Sequence, residues 1–277
     1  MPQVTNDASL DDSKQKGRLM TRGPSQRDIQ AYENVYASDY DFEPILVRYR
    51  RDAALRSLRE HKPDYIIEIG CGLEPLLPHY LASGEEAVRR WVVAEPAQKF
   101  AEAARMVAAD HPEMAVEQGF FEDIADRIVS EYGRADMVIC SGLLHEVPDQ
   151  IRMLHAISQV MGPDAVVHVS VANATSLHRR MAKAMGLIDD LQQMSGRNLL
   201  LQQHRVYTLE SLIRDLQGAG LQPVKQGGIL LKPFTHEQMR LVLAAIGSDV
   251  LAGLGKLGEE FPELASEIFV DARLVEG

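Results

Sequence analysis

Cysteine is nearly missing from this sequence. Cys71 and Cys140 are the only two among 277 residues, too few for a disulfide framework or a cysteine-based zinc site. Apolar runs of the ~20 residues needed to cross a bilayer are absent. The N-terminal stretch is polar and has no signal-peptide core, so the expected compartment is the cytoplasm, with no membrane partner. Positive charge is short: 29 basic residues face 40 acidic ones, a net charge of −11. Such a chain repels phosphate backbones, so nucleic acid is not an expected partner. No H-E-x-x-H or equivalent spacing of metal ligands occurs, and no metal is expected. Neither an internal repeat nor a low-complexity tract is present. The hydrophobic content of 45% with 25% charged residues is ordinary for a globular chain. Its length allows a sizeable core.

The pattern along the chain predicts one domain, residues 28–277, after a mobile polar tail at 1–27. Tyr32, Tyr36, Tyr40, Phe42 and Tyr49 crowd into a short stretch. They read either as an aromatic helix face packed on the domain or as a lid over a small-molecule site, with 28–60 forming the N-terminal lid and helices. A helix is expected from Pro44 to Glu60. Helical stretches follow near Leu76–Ala82, Ala97–Asp110, Ile124–Glu131, Gln150–Met161 and Leu209–Ala219. They alternate with apolar strand candidates at Tyr65–Ile69, Trp91–Ala94, Ala115–Gln118, Ala135–Cys140 and Ala165–Val171. Alternation of this kind predicts a mostly parallel sheet covered on both faces, an α/β fold. Residues 174–206 are too long for a loop and helical in propensity, and are expected as a cap insertion. Residues 235–262 form another helical stretch before a last strand at Glu267–Leu274. Apolar residues near Met239–Leu257 suit either a homodimer face or packing on the domain.

The strongest chemical signal is Ile66-Ile67-Glu68-Ile69-Gly70-Cys71-Gly72, a strand running into a glycine turn. Glycines there let the backbone pass close to a ligand. About 23 residues after Gly72, at the end of the next strand, stands Glu95, placed to accept hydrogen bonds from both hydroxyls of a ribose. A dinucleotide fingerprint would need a third glycine facing a pyrophosphate. The turn continues Leu73-Glu74-Pro75 instead, and the Glu74 carboxylate would repel that group. An adenine, a ribose and a cationic sulfonium suit this turn better.

The segment resembles motif I, E-x-G-x-G-x-G, of class I S-adenosylmethionine-dependent methyltransferases, with Glu74 in place of the third glycine. Further segments extend the resemblance in order. Ala94-Glu95-Pro96 is similar to the acidic motif after the second strand. Gly119-Phe120-Phe121-Glu122-Asp123 is similar to the segment flanking adenine. Ala135–Asp149, with Ser141 and His145, resembles the fourth strand and its exit loop. Met161-Gly162-Pro163-Asp164 stands where the family commonly has L-x-P-G-G. The resemblance implies a Rossmann-like, seven-stranded, mostly parallel sheet with helices on both faces. It also implies S-adenosyl-L-methionine as cofactor and S-adenosyl-L-homocysteine as product. Cofactor-binding candidates are Glu68, Gly70, Cys71, Gly72, Glu95, Phe121, Glu122, Asp123 and Ser141. Tyr36 of the lid joins them, and Arg48 is a candidate clamp for the methionine carboxylate. Each also has a plain reading. Glu122 and Asp123 suit a solvated turn, and the cysteines suit small apolar packing residues.

His145 is the candidate general base or acceptor-positioning group, because a histidine near neutral pKa can take a proton from an oxygen acceptor. A helix-start histidine bonded to backbone is the plain alternative. His178, His204, Arg205, Tyr207 and Tyr40 are the acceptor-binding candidates, from local basic density in an acidic chain. Snorkelling surface arginines explain the same pattern. The runs Ser176–Ala182 and Met185–Leu187 with His204–Tyr207 resemble a group of bacterial small-molecule methyltransferases, some linked to saccharide or secondary-metabolite pathways. The expected function is methyl transfer to an oxygen or nitrogen of a small molecule of saccharide, nucleotide-sugar or secondary-metabolite type. A protein or RNA methyltransferase, a non-catalytic cofactor-binding regulator and a nicotinamide oxidoreductase stay open as alternatives.

Overall fold

The computed structural model describes residues 27–36, 42–85 and 87–275. The expected tail up to residue 26, and Tyr40, lie outside the described residues, as do the side chains of Tyr32 and Tyr36.

Seven strands form one sheet in the order β3-β2-β1-β4-β5-β7-β6. They are β1 Tyr65–Ile69, β2 Arg90–Glu95, β3 Met114–Gln118, β4 Ala135–Ser141, β5 Met161–Ala172, β6 Leu221–Ile229 and β7 Glu267–Leu274. The first five run parallel, and β7 lies antiparallel between β5 and β6. The strand order reverses between β1 and β4, so their carboxyl ends diverge and leave a crevice there.

Both faces of the sheet are covered. On one face Tyr65, Ile67 and Ile69 pack with residues of α5 (Phe121–Tyr132), α6 (Gln150–Val160) and α9 (Leu209–Gly218). On the other, Ile66 and Trp91 pack with α2 (Glu43–His61), α3 (Leu77–Ala82) and α4 (Gln98–Ala108). The two-residue strand period thus feeds two separate cores, which is why the inner strands read as unbroken apolar runs. A third cluster joins Phe42, Leu46 and Ala53 to Met239 of α10 (His236–Ile246), Leu251 of α11 (Val250–Glu260) and Phe269 of β7. Its packing gives Met239, Leu243, Leu251 and Leu254 an intramolecular partner, while Leu241, Ile246 and Leu257 stay exposed.

The sequence pattern localises only six strands. The unlocalised one is β6, whose run Gln222-Pro223-Val224-Lys225-Gln226-Gly227-Gly228 has neither an apolar run nor clean alternation. It is an edge strand with a register shift between Pro223 and Lys225, the place where a sheet tolerates proline. Its glycines answer to packing: a Cβ on Gly228 would lie 2.2 Å from the Gly258 carbonyl oxygen. The expected cap contains α7 (Leu177–Ala184) and α8 (Gly196–Leu200). The helical stretch at 235–262 is two helices, broken at Gly247. Among the described residues no helix is long and apolar enough to cross a membrane.

Candidate functional site

A cavity of about 420 Å³ opens at the carboxyl ends of β1, β2 and β4, within the usual range for small-molecule sites. Its floor is the glycine turn after β1. Gly70 and Gly72 hold φ of +69° and +60°, the left-handed region that favours glycine. The Gly70 N–H donates to the Ala94 carbonyl at 2.9 Å, tying the turn to β2.

Glu95 ends β2 and is 3% exposed. Its carboxylate accepts from the Ala97 N–H at 2.9 Å and the Gly72 N–H at 3.3 Å. Burial lifts its pKa to about 7, against the pull of these two bonds. Each oxygen accepts one backbone bond, Oε2 also accepts from the Cys71 thiol at 3.9 Å, and the carboxylate lines the cavity. Glu68 also borders the cavity, but its carboxylate is engaged behind the turn. It accepts from the Leu76 N–H at 3.0 Å and from the Trp91 indole N–H at 2.9 Å. Its role is therefore to hold the turn and the start of α3, with its pKa raised to about 7 by burial. Cys71 lies beside both carboxylates, and burial together with their charge pushes its thiol far up. A thiol held protonated is a packing group, not a nucleophile.

At the far end Pro96, Phe100, Phe120, Phe121, Val147 and Met153 make an apolar slot. Glu122 lines it, and its Oε2 is buried with no hydrogen-bond partner. Burial raises the pKa of this carboxyl. Asp123, one residue on, is exposed and pairs with Arg152 on the outer surface. The expected acidic pair thus divides, with Glu122 inside and Asp123 outside, because successive positions of α5 are about 100° apart.

Helix α2 supplies the wall over the glycine turn. Pro44, Val47, Arg48, Arg51 and Ala54 share one face at helical spacing and line the cavity. The guanidinium of Arg48 lies 5.2 Å from the Tyr49 ring centre. Arg51 pairs with Glu74 at 2.7 Å, so the residue standing in for the third glycine anchors the helix that covers the turn. Arg50 reaches Gly142 and pairs with Glu43 and Glu267. Ser141, at the end of β4, lines the cavity with its hydroxyl 3.0 Å from that of Ser170.

A family model described as a methyltransferase domain matches residues 44–226. The chain belongs to this methyltransferase family. Solved structures of similar fold include the N-methyltransferase NodS from Bradyrhizobium japonicum in complex with S-adenosyl-L-homocysteine, at 12% identity and TM-score 0.56, covering 90% of this chain and 98% of that one. An S-adenosylmethionine-dependent methyltransferase from Mesorhizobium loti is similar at 16% identity and TM-score 0.54, over 80% of this chain and 96% of that one. The plantazolicin methyltransferase BamL, in complex with a triazolic desmethylPZN analogue and S-adenosyl-L-homocysteine, is similar at 11% identity and TM-score 0.52, over 90% of this chain and 98% of that one. No curated protein matches the chain.

The methyltransferase uses S-adenosylmethionine, and its cavity suits that molecule. Glu95 lines the cavity beside the glycine turn, and a carboxylate there suits ribose hydroxyls. The partnerless Glu122 oxygen suits the exocyclic amine of adenine, and the Arg48 guanidinium lining the cavity suits a carboxylate. Arg27 and Ile29 of the N-terminal segment also line the cavity, residues the sequence pattern did not single out.

The acceptor candidates are placed differently from the sequence expectation. His145 lies in a short 3-10 turn, Leu144–Glu146, 4% exposed, and does not line the cavity. Its backbone carbonyl accepts from the His204 and Arg205 N–H groups. Burial, with Arg50 and Arg27 nearby, holds its imidazole down at about 3. So weak a base, off the cavity, is withdrawn from proton abstraction. Arg205 pairs with Asp215 of α9, and Tyr207 donates to the same carboxylate at 3.1 Å. Both anchor the cap to the sheet domain instead of reaching the cavity, and His204 joins them through the backbone. His178 feels the charge of Lys232, and His178 and His236 influence each other electrostatically, as described below.

The neutral state of His145 predicts an acid sensitivity. The unfolded imidazole takes a proton below pH 6.5, while the folded one resists until about 3. Stability from this residue is full above 6.5 and lost as pH falls. By linkage the wild type should lose about 2 kcal/mol more than His145→Asn between pH 7.5 and pH 5. Urea unfolding at both pH values measures this, and equal losses would mean that the ring is charged in the fold.

Proposed function

We propose that this methyltransferase moves the methyl group of S-adenosylmethionine to an oxygen or nitrogen of a small molecule of saccharide, nucleotide-sugar or secondary-metabolite type. The observation that carries this reading is a roof built from two distant parts of the chain. Helix α1 (Ile29–Tyr36) is tied down by Arg27 to Glu146 and by Glu33 to the Lys99 N–H at 3.1 Å. The cap meets it where Gln202 and Asp28 exchange two hydrogen bonds, at 2.8 and 2.9 Å. Such a closed arrangement favours an acceptor small enough to be enclosed over an extended macromolecular surface.

S-adenosylmethionine supplies a methyl group carried on a cationic sulfonium. The residues around it bind and orient. Glu95 would accept from the ribose hydroxyls, Glu122 would take the adenine amine, and Arg48, which lines the cavity, would pair with the methionine carboxylate. Gly70 and Gly72 let the backbone approach. Holding donor and acceptor in line supplies much of the rate, and exclusion of water strengthens every charge interaction inside.

Transfer of labelled methyl to a panel of sugars, nucleotide sugars and phenolic metabolites, beside protein and RNA fractions, tests the reading. Label in a small molecule is expected, and label confined to protein or RNA overturns it. The roof makes its own prediction. Deleting residues 1–41 removes Arg27 and α1, and should weaken S-adenosylhomocysteine binding about ten-fold, some 1.4 kcal/mol, with loss of turnover. Full activity in the truncated protein would reduce α1 to packing.

A further inference from the structure

Beyond Arg50 the chain gathers a second set of polar side chains that the cofactor does not need. Ala172 of β5 and Ile229 of β6 both pair with Glu267, the first residue of β7. The ends of β5 and β6 therefore meet at the same sheet edge as the cavity. The segments leaving those strands carry Ser176, His178, Lys232 and His236.

Three of these present buried polar atoms with no hydrogen-bond partner: Ser176 Oγ, His178 Nδ1 and His236 Nδ1, the last lying 3.9 Å from Glu43 Oε2. Ser176 is wholly buried and Lys232 is 4% exposed. Among the described residues Lys232 makes no contact ion pair. Both nearby carboxylates are already committed. Arg50 bonds Glu43 and Glu267 together, and Arg197 approaches Glu43 at 3.5 Å. Three cations thus face two carboxylates, and the unmatched charge is the ammonium of Lys232. A buried charge without a contact ion pair, on segments that also carry unsatisfied polar atoms, is costly unless a ligand completes it.

We infer that Lys232, with Ser176, His178 and His236, forms an acceptor subsite for an anionic group, a carboxylate or a phosphate, on the molecule to be methylated. The inference rests on the small-molecule reading above and adds to it the charge of the substrate. Arg50 links the two sites, since it lines the cavity and bonds the two carboxylates that border the subsite. Burial lowers the Lys232 pKa to about 8, which still leaves it charged near neutrality. Both histidines are held neutral by burial and by the nearby Lys232 charge, at about 3 for His178 and about 2 for His236. A neutral imidazole can donate from one nitrogen to an anion at no charge cost.

The test uses the full chain saturated with S-adenosylhomocysteine and three matched probes: glucose, glucuronate and glucose 6-phosphate. Calorimetry should show millimolar binding of at least one anionic probe, ten-fold or more tighter than glucose. Lys232→Gln should lose that preference at least ten-fold while S-adenosylhomocysteine affinity stays within two-fold. His178→Leu serves as the second variant should Lys232→Gln fail to fold. Surface Lys225→Gln is the control and should change nothing. Preference for glucuronate or for the phosphate tells carboxylate from phosphate. No binding of either anion, equal binding of glucose, or an unchanged preference in both site variants overturns the subsite. Loss of S-adenosylhomocysteine binding by the wild type would instead overturn the cofactor placement.

Discussion

Gly72→Val should abolish S-adenosylhomocysteine binding while leaving the protein folded. Gly72 holds φ of +60°, and a Cβ there would meet no protein atom within 4 Å. The added side chain therefore enters open space beside the cavity that Gly72 lines, where the cofactor must pass. Left-handed backbone costs a β-branched residue about 1–3 kcal/mol, which a domain of this size tolerates. Binding suffers more, because the turn can relieve its strain only by moving its N–H away from Glu95. A loss of at least a hundred-fold is expected, about 2.7 kcal/mol. Gly70→Val gives a useful contrast. Its Cβ would sit 3.1 Å from Leu143 Cδ2 at φ of +69°, so it should cost more stability for a similar loss of binding. Circular dichroism with calorimetry separates the two effects. A folded Gly72→Val protein that still binds at wild-type affinity would remove the cofactor from this turn.

Glu95→Ala carries the second large effect. Two ribose hydroxyl bonds to a carboxylate at ~1.5 kcal/mol each amount to roughly a hundred-fold in affinity. The same change strands the Gly72 and Ala97 N–H groups, so a lower melting temperature should accompany it. Glu95→Gln should lie between, since it keeps one accepting oxygen. The pKa of about 7 adds a pH signature. A carboxyl raised by burial is ionised above 7 and protonated below it. Cofactor affinity should therefore fall as pH drops from 8 to 6 in the wild type and stay flatter in Glu95→Gln. Unchanged affinity in Glu95→Ala would sink the ribose assignment.

Much of the cofactor side was legible in the sequence because it is local. A strand, two glycines and an acidic residue one strand later are set by chain geometry, and Gly70, Gly72 and Glu95 fall on the cavity as that spacing requires. Even there, local reading could not divide Glu68 from Glu95, or Glu122 from Asp123. Which carboxylate faces the ligand depends on Trp91, Leu76 and Arg152, partners brought in by other elements.

The acceptor side was not legible in the same way. His145, Arg205 and Tyr207 stand at sensible places in the sequence, yet tertiary packing turns them toward the backbone of the cap and toward Asp215. Lys232 and His236 carry no motif, and their edge strand β6 was hidden by its glycines and proline. They come within electrostatic reach of His178 because β7 inserts antiparallel between β5 and β6, bringing the ends of two distant strands to one edge. The sequence by itself determined the fold class and the glycine turn, since both rest on short-range periodicity or spacing, and its motifs pointed to the cofactor through their resemblance to a known family. Only the tertiary structure decided which polar groups are buried together without partners, because burial is a property of long-range packing.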